Sequence, residues 1–168
     1  MDIFSHALWG GVTLGRKKRS NFFFAVAFSL LPDFFGEGVM FLLVILGLDN
    51  MPSLKHGHPD ISEFPMYAQN FYNATHSLVI FFLIFTLVWL LRKKVFLPLA
   101  AWGIHILIDI PTHSFALFPT PFLWPLSNFK INGAHWNSPL ILIPNFALLG
   151  ILYSFWFYKQ RLKNHLGK

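Results

Sequence analysis

The sequence predicts an all-α protein, a polytopic transmembrane bundle of about four to six helices. Three observations carry that expectation. Of 168 residues, 55% are hydrophobic and only 12% charged, where a soluble domain carries about a quarter charged residues. Twenty-one Phe and six Trp would leave a soluble globule of this length short of polar cover, but they suit a chain whose solvent is lipid. Four apolar runs also approach or exceed the roughly 20 helical residues needed to cross hydrocarbon.

Taken in order, Ile3–Leu14 reads as a short first helix in which Gly10 and Gly11 let a neighbour approach closely. Asn21–Leu48 is too long for one straight span, and Pro32, Gly36 and Gly38 near its middle predict a break or kink. Ala74–Leu91, Val95–Phe115 and Pro139–Tyr158 complete the long runs. Arg16 to Arg19, Arg92 to Lys94 and a tail with Lys159, Arg161, Lys163 and Lys168 hold every Lys and Arg except Lys55 and Lys130. Each cluster borders an apolar run, as expected of cytoplasmic loops. Placing all three in the cytoplasm makes the four runs alternate in direction, which gives a multi-pass protein with a cytoplasmic tail.

Asp49–Asn73 and Ala116–Ser138 then lie on the far side. The first is polar, with Asp49, His56, His58, Asp60 and Glu63. The second contains Phe118-Pro119-Thr120-Pro121-Phe122-Leu123-Trp124-Pro125, too rigid and apolar for a loose connector. It reads either as a cap folded over helix ends or as a loop pinned at the interface, a level that suits Trp124 and Trp136. The chain, 1–168, reads as one integral-membrane domain without internal repeats.

The net charge of +6 raises nucleic acid as a partner. The clustering beside apolar runs, without a basic face interleaved with polar residues, excludes it and leaves the lipid bilayer. The chain has no Cys, so disulfides and thiolate metal ligands are ruled out. The first fifteen residues lack a basic n-region, which counts against a cleaved signal peptide.

Ionisable groups inside apolar spans cost about 2.5–3.5 kcal/mol for Asp on insertion scales and mark functional sites by default. Here they are Asp33, His76, His105 and Asp109, with His6, Glu37 and His113 close by. At about 1.5 Å rise per residue, His6 and His105 lie roughly 15 Å above the cytoplasmic boundary. On the same count Asp33, Asp109 and His76 lie at roughly 21–24 Å, and His113 near 28 Å if its helix continues past Pro111. Against a hydrocarbon core of about 30 Å, these residues gather toward the outer half of the bilayer.

His105 and Asp109, four apart, share one helical face, a spacing that suits two ligands of one ion. Imidazole and carboxylate without sulfur favour zinc, then manganese or iron. Structural alternatives stand beside this. Asp33 could cap a second half-helix running from Phe34, His76 could start a helix at the interface, and Pro111 could turn His113 inward or outward. His56, His58, His135 and His165, in loops or the tail, are not candidates.

Leu30-Leu31-Pro32-Asp33, Thr75-His76-Ser77-Leu78, His105 with Asp109 and Thr112, and Leu123-Trp124-Pro125 occur in this order in the YdjM-like proteins. These are bacterial and archaeal inner-membrane proteins described as metal-dependent hydrolases, and the chain resembles them from about His6 to Trp136. The resemblance implies an inner-membrane location and a metal site of Asp33, His76, His105 and Asp109, with His6 added. Phe35 stands where the family often has a second acid, and Phe71-Tyr72-Asn73 where it often has His-Arg-Gly. The shorter ligand set counts against a two-ion site, and Glu37 is the candidate to replace the missing acid or to serve as a base.

The expectation is thus a membrane-embedded metal-dependent hydrolase of an ester or phosphodiester, of a lipid or lipid-linked substrate in view of the site's depth. His76, His105 and Asp109 would hold the ion, with Asp33 as fourth ligand or base. Two other readings stay open. One is a transporter or channel using the His/Asp cluster for metal ions or protons; the other is a structural subunit in which the cluster only staples helices.

Overall fold

Asp2 starts the first helix: its carboxylate accepts from the Ser5 amide at 2.9 Å and from the Ser5 hydroxyl at 2.6 Å, an N-cap that launches α1 (Ile3–Leu14). The chain turns through a basic stretch into α2 (Arg19–Asp33), which packs closely along α1. A Cβ on Gly10 would stand 2.7 Å from Ser29 Cβ and 2.8 Å from the Ala25 carbonyl oxygen, so the expected close approach at Gly10 is present. The computed structural model describes residues 1–52, 54–55, 58–59, 64–116 and 118–166. His56, Asp60 and Glu63 of the expected far-side loop lie outside them.

The run expected to break or kink near Pro32 is interrupted just after it by a π turn, without being severed. Pro32 lacks the N–H that would close the regular turn, and the chain takes up a π turn at Phe34–Gly38, closed by the Val39 amide on the Phe34 carbonyl. It then continues as α3 (Val39–Ile45). A two-residue antiparallel ladder, β1 (Leu54–Lys55) with β2 (His58–Pro59), follows. Then come α4 (Met66–Thr75), α5 (Leu78–Arg92), α6 (Ala100–Thr112) after a 3-10 turn, and α7 (Pro139–Leu166). With Arg19–Ile45 counted as one helix, the described residues form an all-helical bundle of the expected size.

Two helices are long and apolar enough to cross a membrane: Arg19–Ile45 and Pro139–His165, each 27 residues. The other two expected spans are shorter than the apolar runs that predicted them. Ala74–Leu91 is interrupted where Ser77 caps α5, its hydroxyl accepting from the Ile80 amide at 3.2 Å, and α4 meets α5 at 63°. Asn73 and the residues before it belong to α4, so the far-side loop ends earlier than expected. Val95–Phe115 yields only the 13 residues of α6, about 20 Å of helix, preceded by a turn at Leu97–Leu99 and ended at His113. Apolar composition continues through both caps, so hydropathy alone does not register them.

Burial is inverted relative to a water-soluble fold. Ile45 is 81% exposed and Leu140 85%, whereas His6, His76, His105 and Asp109 are each 0% exposed. An apolar exterior around a polar interior is what a lipid solvent requires. Local apolar packing holds the α5–α6 side, where Phe81, Leu99, Trp102 and Ile106 form a buried cluster.

The Pro/aromatic segment folds over helix ends as a cap. Its carbonyls receive the Leu78 amide (at Phe122, 2.9 Å) and the Ser77 hydroxyl (at Trp124). At its start the Phe118 carbonyl accepts from the Tyr72 hydroxyl at 2.7 Å. Asn145 ties α7 to α1, accepting from Trp9 Nε1 at 2.8 Å and donating to Ser5 Oγ at 2.7 Å.

Candidate metal centre

Asp33, His76 and His113 stand at helix interruptions or ends, whereas His6, His105 and Asp109 stand within helices. Asp33 is the last residue before the π turn, a feature often found at functional sites. Its carboxylate makes no capping bond to the following turn, so it is free to point into the bundle, and the capping alternative falls. Thr75 holds that corner to α4, its hydroxyl 3.1 Å from the Pro32 carbonyl. His76 does not begin a helix. It ends α4, Ser77 caps α5, and the elbow between them turns the imidazole inward. Gly36 leaves room for it: a Cβ there would stand 3.5 Å from His76 Cε1 and 3.3 Å from Tyr72 Cδ2.

On α6 the expected shared face of His105 and Asp109 is present, with both side chains fully buried. His113 follows the end of α6 with φ −112° and turns inward to 6% exposure. His6 on α1 completes the set, its ring stacked on that of His105 with centroids 3.6 Å apart.

Asp33, His76, His105 and Asp109 each present one ligand atom, and these four atoms all lie within 4.8 Å of one another. His76 Nε2 and His105 Nε2 are 3.2 Å apart. Asp33 Oδ1 lies 3.4 Å from the former and 3.3 Å from the latter, and Asp109 Oδ2 lies 3.7 Å and 3.0 Å from the same two atoms. Atoms bound to one tetrahedral ion at about 2.0–2.1 Å stand roughly 3.3 Å apart, so the spacing matches a single-ion cage.

Tautomers sharpen the chemistry. His105 Nδ1 lies 2.8 Å from the Ser29 carbonyl and His76 Nδ1 3.1 Å from the Tyr72 carbonyl. A carbonyl can only accept, so each Nδ1 carries the hydrogen, and in the neutral ring Nε2 is a bare lone pair. Two such lone pairs and two carboxylate oxygens then face one another. Positive charge, as protons or as a metal ion, must balance them. The backbone partners are those that orient metal-binding histidines.

Glu37 stands on the π turn outside this group of four and lines the cleft that leads to Asp33. That cleft, about 530 Å³, is walled by Ile3, Phe4, Phe34, Phe41, Phe118 and Trp136, with His113 also on its lining. Asp33 is 21% exposed where Asp109 is 0%. His135, exposed, lies with Nε2 3.3 Å from Ser114 Oγ and takes no part. The supporting groups that the sequence leaves unmarked are the Ser29, Tyr72 and Phe118 carbonyls, since a backbone oxygen has no signature of its own.

The geometry thus unites the expected residues into a His/Asp group able to bind a metal ion, within a helical chain that has two helices of membrane-spanning length. Comparison with family models, with curated proteins and with solved structures finds no match for this chain.

Proposed function

We propose that the protein is a membrane-embedded, metal-dependent hydrolase of an ester or phosphodiester, a relative of the YdjM-like proteins, with zinc as the first candidate ion. The observation that carries the proposal is the meeting of two imidazole Nε2 atoms, 3.2 Å apart, beside two carboxylates. Three buried residues, His76, His105 and Asp109, would hold the ion and leave one side open, as a catalytic site requires. Such an ion would polarise a scissile carbonyl or phosphoryl oxygen and bring the pKa of a coordinated water toward neutrality.

Asp33, the most exposed of the four carboxylate and imidazole groups, faces the cleft and accepts the proton of the attacking water. Glu37, on the same wall, is placed to relay it outward. The cleft's Phe and Trp walls above a polar floor suit an amphiphile, whose ester reaches the floor while its chains stay in an apolar surround. In this account the basic clusters are cytoplasmic, the location is the cell's inner membrane, and the site lies in the outer half of the bilayer, where lipid or lipid-linked substrates can enter sideways.

The test is a hydrolysis panel of lipid esters and phosphodiesters, run on purified protein with zinc, manganese or iron added. Turnover of one class, abolished by Asp33→Asn while metal content is retained, supports the hydrolase. Metal- or proton-driven flux in liposomes with no turnover of any substrate would replace it with a carrier.

A further inference from the structure

Asp109 has two carboxylate oxygens, and they face different partners. Oδ2 looks toward His105 Nε2 at 3.0 Å and His76 Nε2 at 3.7 Å. Oδ1 looks toward His6 Nε2 at 3.0 Å and His113 Nε2 at 3.4 Å. Only the first pair belongs to the cage built with Asp33. We propose that Asp109 bridges two divalent cations, the second held on its Oδ1 side by His6 and His113. This rests on the metal-site reading above and extends it from one ion to two.

Three features of the Oδ1 side point to a cation. His113 Nδ1 lies 2.7 Å from the Phe118 carbonyl, so it carries the hydrogen and Nε2 presents a lone pair toward Oδ1. His6 is 0% exposed; its Nε2 stands 3.0 Å from Asp109 Oδ1 but poorly aligned for a hydrogen bond, and its Nδ1 has no partner, an uncommon state for a buried imidazole. A ligand bond at Nε2 supplies what the protein does not. Third, the position already accepts positive charge: the Met1 ammonium contacts Asp109 Oδ1 and lies 2.7 Å from His113 Nε2. A divalent cation takes the same place among the same atoms and displaces the amine from it.

A bridging carboxylate with one pair of imidazoles on each oxygen builds a second subsite from α1 and the end of α6. Two-metal hydrolytic sites hold their ions about 3.5–4 Å apart and clamp both the attacking and the leaving oxygen.

The experiment loads the full chain, in lipid nanodiscs, with Mn²⁺, removes free ion and counts bound manganese per chain. It also records the electron paramagnetic resonance spectrum. Two ions per chain with an exchange-coupled spectrum are expected. His6→Gln and His113→Gln each reduce the count to one and leave an uncoupled six-line signal, while Asp109→Ala loses both ions. One ion per chain and an uncoupled spectrum in the unaltered protein overturn the bridge but leave the single-ion site standing. No bound ion removes both. The spectrum of the unaltered chain decides even where a variant fails to fold.

Discussion

Gly10→Ala is the substitution through which packing reaches the site most directly. The added Cβ would lie 2.7 Å from Ser29 Cβ and 2.8 Å from the Ala25 carbonyl oxygen, against an ordinary carbon contact of about 3.5–4.0 Å. Neither neighbour is the free end of a flexible side chain. Helices α1 and α2 must therefore separate by about 1 Å at this point. Overpacking of this kind costs about 1–3 kcal/mol.

The same displacement strains the bond from Ser29 Oγ to the His6 carbonyl, now 2.6 Å, worth about 1 kcal/mol. It also shifts the Ser29 carbonyl that orients His105 at 2.8 Å. Loss of such an orienting partner typically weakens metal binding 10–100-fold. Gly150→Ala is the control, because a Cβ there meets nothing within 4 Å and helix propensity favours Ala by up to about 1 kcal/mol. The assay is thermal unfolding in detergent together with zinc titration. Gly10→Ala should lower both stability and zinc affinity, and Gly150→Ala neither. If the two variants behave alike, the close α1–α2 contact does not position the site.

Other outcomes follow from individual contacts. Ser77→Ala removes the α5 cap at Ile80 and the tether to the Trp124 carbonyl, and should cost about 1 kcal/mol with faster proteolysis within the cap segment. Asn145→Leu unpairs Trp9 Nε1 and removes the bond donated to Ser5 Oγ, which keeps its own bond to Asp2. By the measured range for interhelical hydrogen bonds in membranes it should cost about 0.6–1.7 kcal/mol, read as a lowered Tm, with metal binding at His76, His105 and Asp109 retained. Metal affinity should fall as pH drops from neutral toward mildly acidic values. Protons then compete for the same imidazole lone pairs, and a zinc titration across that range reads the sign directly.

The site residues were legible because ionisable groups in oily runs stand out. The four-residue spacing of His105 and Asp109 survives into the structure unchanged, since a regular helix carries it. What sequence could not supply were the interruptions. The break or kink expected near Pro32 takes the form of a π turn after Asp33, because the missing N–H of Pro32 is accommodated by a shift of register rather than a rupture. Ser77 ends one helix and caps the next inside a continuous apolar run, so Ala74–Leu91 looked like an uninterrupted span. The inward turn of His113 depended on whether α6 ended after Pro111, which the residue types left open. The two-sided use of Asp109 was invisible, because it depends on which imidazole each oxygen faces.

The central claim is that imidazoles and carboxylates from separate helices enclose a metal ion. X-ray absorption at the zinc edge on the purified, zinc-loaded chain tests it most directly. A shell of nitrogen and oxygen alone at about 2.0–2.1 Å is expected, with the outer-shell scattering of imidazole rings and a smaller imidazole contribution in His105→Ala. A protein that retains no zinc, or whose zinc spectrum lacks imidazole and is unchanged by His105→Ala, would contradict it.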